Sequence, residues 1–384
     1  MSGTTRIARE SILGTLPSGG AFRCLVALGV IVVVLRPVVV GPAQAAKPTL
    51  TMVEARVDGR LVEGRPLARS DDRVFLLSRD GQLVDFAPQE ADDYRETNAS
   101  FTSYPVGKIR AQLQGEFGSG FEITGTDHYL VVHPRGQRDQ WARRFEELYR
   151  SFYNYFRVRG FALREPAYPL VALVFSRKED YQRHAQANGA YLGPGVLGHY
   201  SPRTNRILLF DVTGGDESRV WSENSATIIH EVTHQVAFNC GVHTRFNDVP
   251  RWVSEGLATM FEARGVWNSL AHKEPGDRIN HERLGDFKTY VAKHAKTSSL
   301  SEMIASDGLF KSDPEGAYAQ AWAVSYYLCQ TQPRRYSEYL ARTAQRSAFQ
   351  EYSSSDRMAD FRAVFGDDLE MVEAQFLRYI ARVR

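Results

Sequence analysis

Residues 229–235 read Ile-His-Glu-Val-Thr-His-Gln, within a stretch whose apolar pattern predicts a helix. This helix is expected to be capped by Asn224 or Ser225 and to end at Gly241. On a helix with 3.6 residues per turn, side chains four positions apart lie on one face. His230 and His234 can therefore direct two imidazoles to one ion, and Glu231 can reach a water molecule at that ion. The pattern is typical of zinc hydrolases, in which a carboxylate beside two nitrogen ligands acts as general base.

Two histidines leave such a site incomplete, because catalytic zinc usually takes three protein ligands. Downstream, Pro250 favours the start of a second helix, and residues 252–258 read Trp-Val-Ser-Glu-Gly-Leu-Ala. A carboxylate on a well-packed helix needs a partner, and a metal would provide one for Glu255. Gly256 would let this helix approach the metal helix closely. The sequence therefore predicts one Zn²⁺ ion per chain, held by His230, His234 and Glu255.

The two motifs, His-Glu-x-x-His from residue 230 and Trp-x-x-Glu-Gly-x-Ala from residue 252, together resemble the gluzincin branch of the peptidase-MA-like zinc metallopeptidases. The resemblance covers roughly residues 165–335. It is closest to an uncharacterised bacterial family, a domain of unknown function with HExxH and WxxEG motifs. It implies that His230, His234 and Glu255 bind zinc and that Glu231 is the general base.

The same resemblance implies a tyrosine on a later helix. In aminopeptidase-N-type enzymes this tyrosine donates a hydrogen bond to the developing oxyanion. Residues 317–323 read Ala-Tyr-Ala-Gln-Ala-Trp-Ala at a comparable distance past the third ligand, which makes Tyr318 the candidate for this catalytic role. Tyr326 and Tyr327 are the alternatives.

Two departures from the family pattern limit what the resemblance implies. The Gly-x-Met-x-Asn segment that anchors the free amine in aminopeptidase-N enzymes is absent, and residues 197–201 read Leu-Gly-His-Tyr-Ser instead. Aminopeptidase specificity is therefore not expected. Thr259 stands where thermolysin-type enzymes place an aspartate, so the partner that orients a ligand histidine is not identified.

The N-terminus has the parts of a secretory signal peptide. Arginines precede a short apolar run over residues 24–35, and Ala-Gln-Ala follows at 43–45. We predict a signal peptide at residues 1–45 and export to the periplasm or the cell exterior. The alternative is an uncleaved N-terminal segment that anchors the chain in a membrane. The run is shorter than the roughly 20 apolar residues that a span requires, and Arg36 interrupts it.

Composition narrows the class of partner. A net charge of +2 and the lack of a dense Lys/Arg tract argue against nucleic acid. No stretch after the N-terminal run is apolar enough to span a membrane. The expected partner, a peptide or protein substrate, is what the resemblance to zinc metallopeptidases implies. Cys24 would leave with the signal peptide, and Cys240 and Cys329 either pair or remain as buried thiols.

Strand and helix patterns predict an α+β fold in two parts. Short strands separated by Asp-Gly turns indicate a small all-β, SH3-like module over residues 46–97. Polar residues at 91–104 are typical of a linker. Residues 98–384 are then expected to form a gluzincin-like metallopeptidase domain. This domain would combine a mixed sheet and the active-site helix with a helical C-terminal subdomain, as in zincins. The continuous apolar run at 170–175 predicts a buried strand, and residues 198–210 predict a hairpin with its turn at 202–205.

The sequence thus predicts an exported zinc-dependent metallohydrolase, most directly a peptidase that uses activated water and a glutamate base. A catalytically idle zincin-fold binding or scaffold protein and a non-peptidase zinc hydrolase remain as alternatives. The other histidines without ligand spacing are predicted to be surface or structural residues: His199, His243, His272, His281 and His294.

Overall fold

The computed structural model describes residues 51–190, 192, 193, 195–214, 216, 219–294 and 300–384. Within these ranges the chain forms two five-stranded sheets and thirteen α-helices, which confirms the predicted α+β class. The predicted signal peptide, residues 1–45, lies outside the described residues. None of the helices in the described ranges is long and apolar enough to cross a membrane.

The first sheet is antiparallel throughout and has the order β4-β3-β2-β1-β5. Its strands are β1 (Thr51–Val57), β2 (Arg60–Arg69), β3 (Val74–Ser78), β4 (Leu83–Phe86) and β5 (Ala91–Ser100). A small apolar cluster that includes Val53, Leu76 and Phe86 packs on one face. The predicted strands are confirmed, whereas the SH3-like description and the division into domains stay predictions.

The predicted linker at 91–104 is wrong over most of its length, because Ala91–Ser100 forms β5 and pairs with β1. The strand therefore continues beyond residue 97, where the module was predicted to end. The polar sequence of β5 resembles a linker because β5 is an edge strand, most of whose side chains are exposed. Only Ala91, Tyr94 and Thr97 are half-buried, while the charged residues between them face solvent. Charged side chains on an edge strand are typical, since they discourage pairing with other chains.

The second sheet has the order β6-β7-β8-β10-β9. Its strands are β6 (Phe121–Gly125), β7 (Tyr129–Pro134), β8 (Leu170–Phe175), β9 (Gly198–Ser201) and β10 (Arg206–Phe210). The three central strands β7, β8 and β10 are parallel, and the two outer strands are antiparallel to their neighbours. Helices cover both faces of the centre, which explains the unbroken apolar run of β8.

The helices divide between the faces of this sheet and a helical second half. They are α1 (Val106–Phe117), α2 (Arg138–Arg157), α3 (Lys178–Ala187), α4 (Val220–Cys240), α5 (Arg251–Phe261), α6 (Arg264–Trp267), α7 (His281–His294), α8 (Leu300–Ala305), α9 (Leu309–Ser312), α10 (Pro314–Thr331), α11 (Pro333–Ala344), α12 (Ser354–Phe365) and α13 (Leu369–Ile380). Helices α1 and α3 pack on one sheet face, and α2 and α4 pack on the other. The larger core continues from α4 through α5 and α10 into the C-terminal helices.

Helix α4 begins earlier than the sequence pattern indicates. A cap at Asn224 or Ser225 was expected, but the helix starts at Val220. The Asn224 side chain instead binds the segment after β10, accepting from the Val212 amide and donating to Asp211. The predicted end is confirmed, because Gly241 has φ +88°, a left-handed conformation that suits glycine.

Gly256 serves a different contact from the one predicted. It was expected to let α5 approach the metal helix α4. In the structure, a methyl group at Gly256 would collide with the Ser325 hydroxyl and the Ala321 carbonyl of α10. The glycine therefore permits close packing of α5 against α10, the helix that also carries Tyr318.

Candidate metal centre

The two histidines and the glutamate predicted to bind zinc meet at one point. His230 and His234 lie one turn apart on α4, and Glu255 projects from α5. The Nε2 atoms of the histidines are 3.1 Å apart. Oε2 of Glu255 lies 3.3 Å from Nε2 of His230 and 3.5 Å from Nε2 of His234. All three residues are buried. They form a potential metal-binding cluster.

These separations match the geometry of a tetrahedral zinc site. Donor atoms about 2.0–2.1 Å from a tetrahedral centre are about 3.3 Å from one another. The three measured separations, 3.1, 3.3 and 3.5 Å, bracket that value. Two imidazole nitrogens and one carboxylate oxygen are also the donor types that zinc prefers. The residues present therefore fit a zinc ion.

The electrostatics of the cluster favour a positive charge at its centre. Burial alone would lower the pKa of His230, but hydrogen bonds with Glu255 and Glu262 outweigh burial and raise the pKa to about 10. Burial alone would raise the pKa of Glu255, but the neighbouring charges of His234 and His230 hold it well below its ordinary value. The positive charge of a protonated His230 thus stabilises the neighbouring carboxylates.

Glu231, the predicted general base, is buried beside these residues. Its Oε2 accepts a hydrogen bond of 2.7 Å from the backbone amide of Tyr200 on the edge strand β9. Burial raises the pKa of Glu231 above its ordinary value, although the charges of His230 and His234 oppose the shift. The amide holds the carboxylate at a defined position in the site.

Glu262 is a site residue that the sequence reading missed. Nδ1 of His230 donates to Oε1 of Glu262 across 2.9 Å, and Asn280 donates to Oε2 of the same carboxylate across 2.9 Å. Asn280 also donates to the carbonyl of Thr259. Glu262 thus binds a histidine of the cluster, a contact that the sequence analysis left without a partner. Glu262 lies two helical turns after Glu255, and this spacing was the available signal, since both positions share one helix face.

Buried amides attach α4 to the hairpin of β9 and β10. Asn239 donates to Oδ1 of Asn205 across 2.7 Å, and the Tyr200 hydroxyl donates to the same oxygen across 2.8 Å. The side chain of Gln235 donates to the carbonyls of Val171 and Asn205. This network fixes the metal helix against the sheet at the level of the site.

Tyr318 lies on α10 and is buried in the core against α7 and α9. Its ring meets the Phe310 ring edge to face at 5.4 Å, and the Arg283 guanidinium lies 5.6 Å from its centroid. The amide of Arg283 donates to Asn280, the partner of Glu262. Tyr318 thus packs beside Arg283, whose own amide binds the partner of Glu262. Its role on the oxyanion stays a prediction.

Among the five histidines predicted to be surface or structural residues, His199 and His243 are buried. His199 on β9 binds the Tyr181 hydroxyl through Nδ1 at 3.0 Å, and burial lowers its pKa to about 4. His243 follows α4, and burial, aided by the charge of His234, lowers its pKa to about 3. Both fit the predicted structural role. The pairing of Cys240 with Cys329, left open by the sequence, does not occur, because both are free buried thiols.

Comparison with known families supports the coarser part of the predicted resemblance. A sequence family described as "Protein of unknown function (DUF1570)" matches residues 224–350. This segment includes His230, His234, Glu255 and Tyr318. No curated protein matches the chain.

Solved structures similar to the chain include M1 zinc metallopeptidase from Deinococcus radiodurans, with 14% identity and a TM-score of 0.33 over 67% of this chain. A point mutant of that enzyme has the same identity and TM-score over 66% of this chain. The mutant bound to a Tyr-Ser-Ala substrate has 12% identity and a TM-score of 0.34, also over 66%. The chain spans half the length of each of these structures.

Proposed function

We propose that the chain is a zinc-dependent hydrolase of the gluzincin type that cleaves peptide bonds. The observation that carries this proposal is the meeting of His230, His234 and Glu255 at tetrahedral donor spacing beside the buried carboxylate of Glu231. When bound, zinc would supply a Lewis acid that polarises a carbonyl and acidifies water. A binding module would need the ligands but has no evident use for the adjacent buried base.

The residues of the chain have distinct tasks in this proposal. His230, His234 and Glu255 hold the metal, and Glu262 orients the His230 ring so that Nε2 faces the other ligands. Glu231 takes a proton from the attacking water at a carboxylate oxygen and returns it to the leaving amine. Tyr318 would donate its phenolic proton in a hydrogen bond to the oxyanion.

Strand β9 is suited to hold an extended substrate. It is the outermost strand of its sheet, and the Tyr200 amide points away from β10 to Glu231. A peptide that paired with the free edge of β9 would pass beside the base and the metal cluster. The substrate is therefore proposed to be a peptide or protein in an extended conformation. Export of the chain by residues 1–45 is part of the same proposal.

The proposal is tested by zinc analysis and peptide digestion of the purified chain. We expect one zinc per chain, and loss of zinc in His230→Ala. A peptide-library digest should show cleavage by the wild type and none by Glu231→Gln, which should still bind zinc. Zinc content far below one per chain, unchanged by His230→Ala, would refute the metal site. Zinc without peptide cleavage would refute the peptidase and favour a different hydrolase or a binding role.

A further inference from the structure

The first sheet docks directly on the turn that joins β9 to β10. The backbone amide of Leu83, at the start of β4, donates to the carbonyl of Arg203 across 2.7 Å. The Arg203 guanidinium in turn lies 3.0 Å from Oδ1 of Asp85 on β4. A main-chain hydrogen bond and an ion pair thus join the N-terminal sheet to the hairpin that contains Tyr200.

Arg245 also binds both turns, the β3–β4 turn and the β9–β10 turn, through its side chain. It lies on the connection between the two helices of the metal cluster and is buried, with 7% of its surface exposed. Its Nη2 donates to the carbonyl of Gly81 in the β3–β4 turn across 2.7 Å, and its Nε donates to the carbonyl of Pro202 across 2.9 Å. One buried guanidinium therefore satisfies a carbonyl from each turn, and hydrogen bonds to a charged group are among the stronger ones.

Gly81 makes this close approach possible. Its φ of +89° lies in the left-handed region that favours glycine, and a methyl group there would lie 2.9 Å from the Tyr168 ring. The β3–β4 turn is thus shaped to fit against Tyr168, just before β8. A turn with a larger residue at this position would be pushed away from Arg245.

The docked hairpin contacts the catalytic carboxylate. The Tyr200 amide donates to Glu231, and the Tyr200 hydroxyl donates to Asn205 in the same hairpin. Because β9 is the edge strand of its sheet, only β10 pairs with it among the described strands. Its position therefore depends on contacts beyond the ladder: those of Asn205 with α4, and those of the turn with Arg245 and the β3–β4 turn.

We propose that Arg245 is a positioning residue and that the N-terminal sheet helps to position the hairpin that binds Glu231. Arg245 clamps the β3–β4 turn to the β9–β10 turn, and the clamped hairpin presents the Tyr200 amide to Glu231. This inference rests on the proposed function for its effect on catalysis, but the clamp itself is a property of the chain. Loss of the clamp loosens β9 and misplaces the carboxylate without removing a metal ligand.

The test compares full-length Arg245→Met and Arg245→Lys with Arg342→Met, which removes a half-exposed guanidinium paired with Asp360 on the C-terminal helices. Hydrogen exchange at residues 198–201 is measured together with zinc affinity and peptide cleavage. In Arg245→Met we expect exchange at these amides to rise about tenfold or more through local opening. Exchange in α2 and zinc affinity should stay within about twofold, and kcat should fall more than KM rises.

Arg245→Lys should restore part of the protection, because its ammonium keeps the charge and can donate to at least one of the two carbonyls. Arg342→Met should match the wild type. If Arg245→Met does not fold, Arg203→Ala serves instead, since this side chain is 59% exposed at the rim of the contact. Unchanged exchange at residues 198–201 in the folded variant would overturn the inference. Exchange that rises in a chain with no peptidase activity would support the clamp and count against the proposed function alone.

Discussion

Nδ1 of His230 donates a hydrogen bond to Oε1 of Glu262 across 2.9 Å, and this bond leaves Nε2 facing His234 and Glu255. Glu262→Gln removes the charge and should weaken zinc binding about 10–100-fold, as loss of such outer partners typically does. Competition with a chelator measures the affinity. Glu282→Gln, at an exposed position on α7, is the control and should bind zinc as the wild type does. Equal affinities in both variants would contradict the orienting role.

Gly256 determines how closely α5 and α10 approach. Gly256→Ala should destabilise the fold by about 1–3 kcal/mol or more, because the added methyl meets the Ala321 carbonyl, which cannot rotate away. Gly285→Ala on α7 is a matched control, since a methyl there has nothing within 4 Å. It should stabilise the helix by up to about 1 kcal/mol. Urea unfolding measures the free energy of unfolding of both variants. Equal changes in the two variants would contradict the packing argument.

Removal of the Tyr318 hydroxyl tests the proposed oxyanion contact. Tyr318→Phe keeps the ring packed on Phe310, so the fold and zinc content should be retained. If the hydroxyl stabilises the oxyanion, kcat should fall by about 10²–10³-fold. Tyr326→Phe, a buried tyrosine stacked on Trp322 of the same helix, should have little effect on kcat. Full activity in Tyr318→Phe would assign this residue to the core alone.

His199 should make the stability of the fold sensitive to acid. Its folded-state pKa is lowered by burial from 6.5 to about 4, with a further contribution from His184. The unfolded chain gains this proton below about pH 6.5, but the folded chain does not until about pH 4. Stability is therefore retained above pH 6.5 and lost as the pH falls toward 4, by on the order of 3 kcal/mol.

Urea unfolding in the presence of a chelator, at pH 7.5 and pH 4.5, measures this loss. His199→Gln should show a smaller difference between the two pH values than the wild type. His281→Gln, which changes an exposed histidine, should show the wild-type difference. An equal difference in wild type and His199→Gln would show that other groups cause the acid sensitivity.

Local patterns in the sequence predict the elements of the fold well. The unbroken apolar run of β8, the turn between β9 and β10 and the glycine after α4 all reflect short-range chemistry, and each is observed. The i, i+4 spacing likewise predicts that His230 and His234 share a face, because the helix alone determines it. The charged edge strand β5 is missed because its partner, β1, lies far away in sequence.

The parts of the site that depend on contacts between distant segments are not predictable in this way. The sequence leaves the partner of the ligand histidine unidentified, and only the fold shows that His230 binds Glu262, which Asn280 binds in turn. The bond between Glu231 and the Tyr200 amide has no side-chain signature on β9, since any residue other than proline offers that donor. The partner of Gly256 was misassigned because a glycine indicates close packing without naming the neighbour.

The two free, buried thiols, Cys240 and Cys329, can report local unfolding of the helices that carry them. Burial raises the pKa of Cys240 to about 12 and raises that of Cys329 as well, so little reactive thiolate exists in the folded state at neutral pH. Cys240 packs at the end of α4 and Cys329 near the end of α10, where the Tyr155 hydroxyl lies 3.1 Å from its sulfur. With Cys24 replaced by serine, the rate of alkylation at Cys240 or Cys329 measures how often that helix end becomes exposed. Peptide mapping separates the two rates.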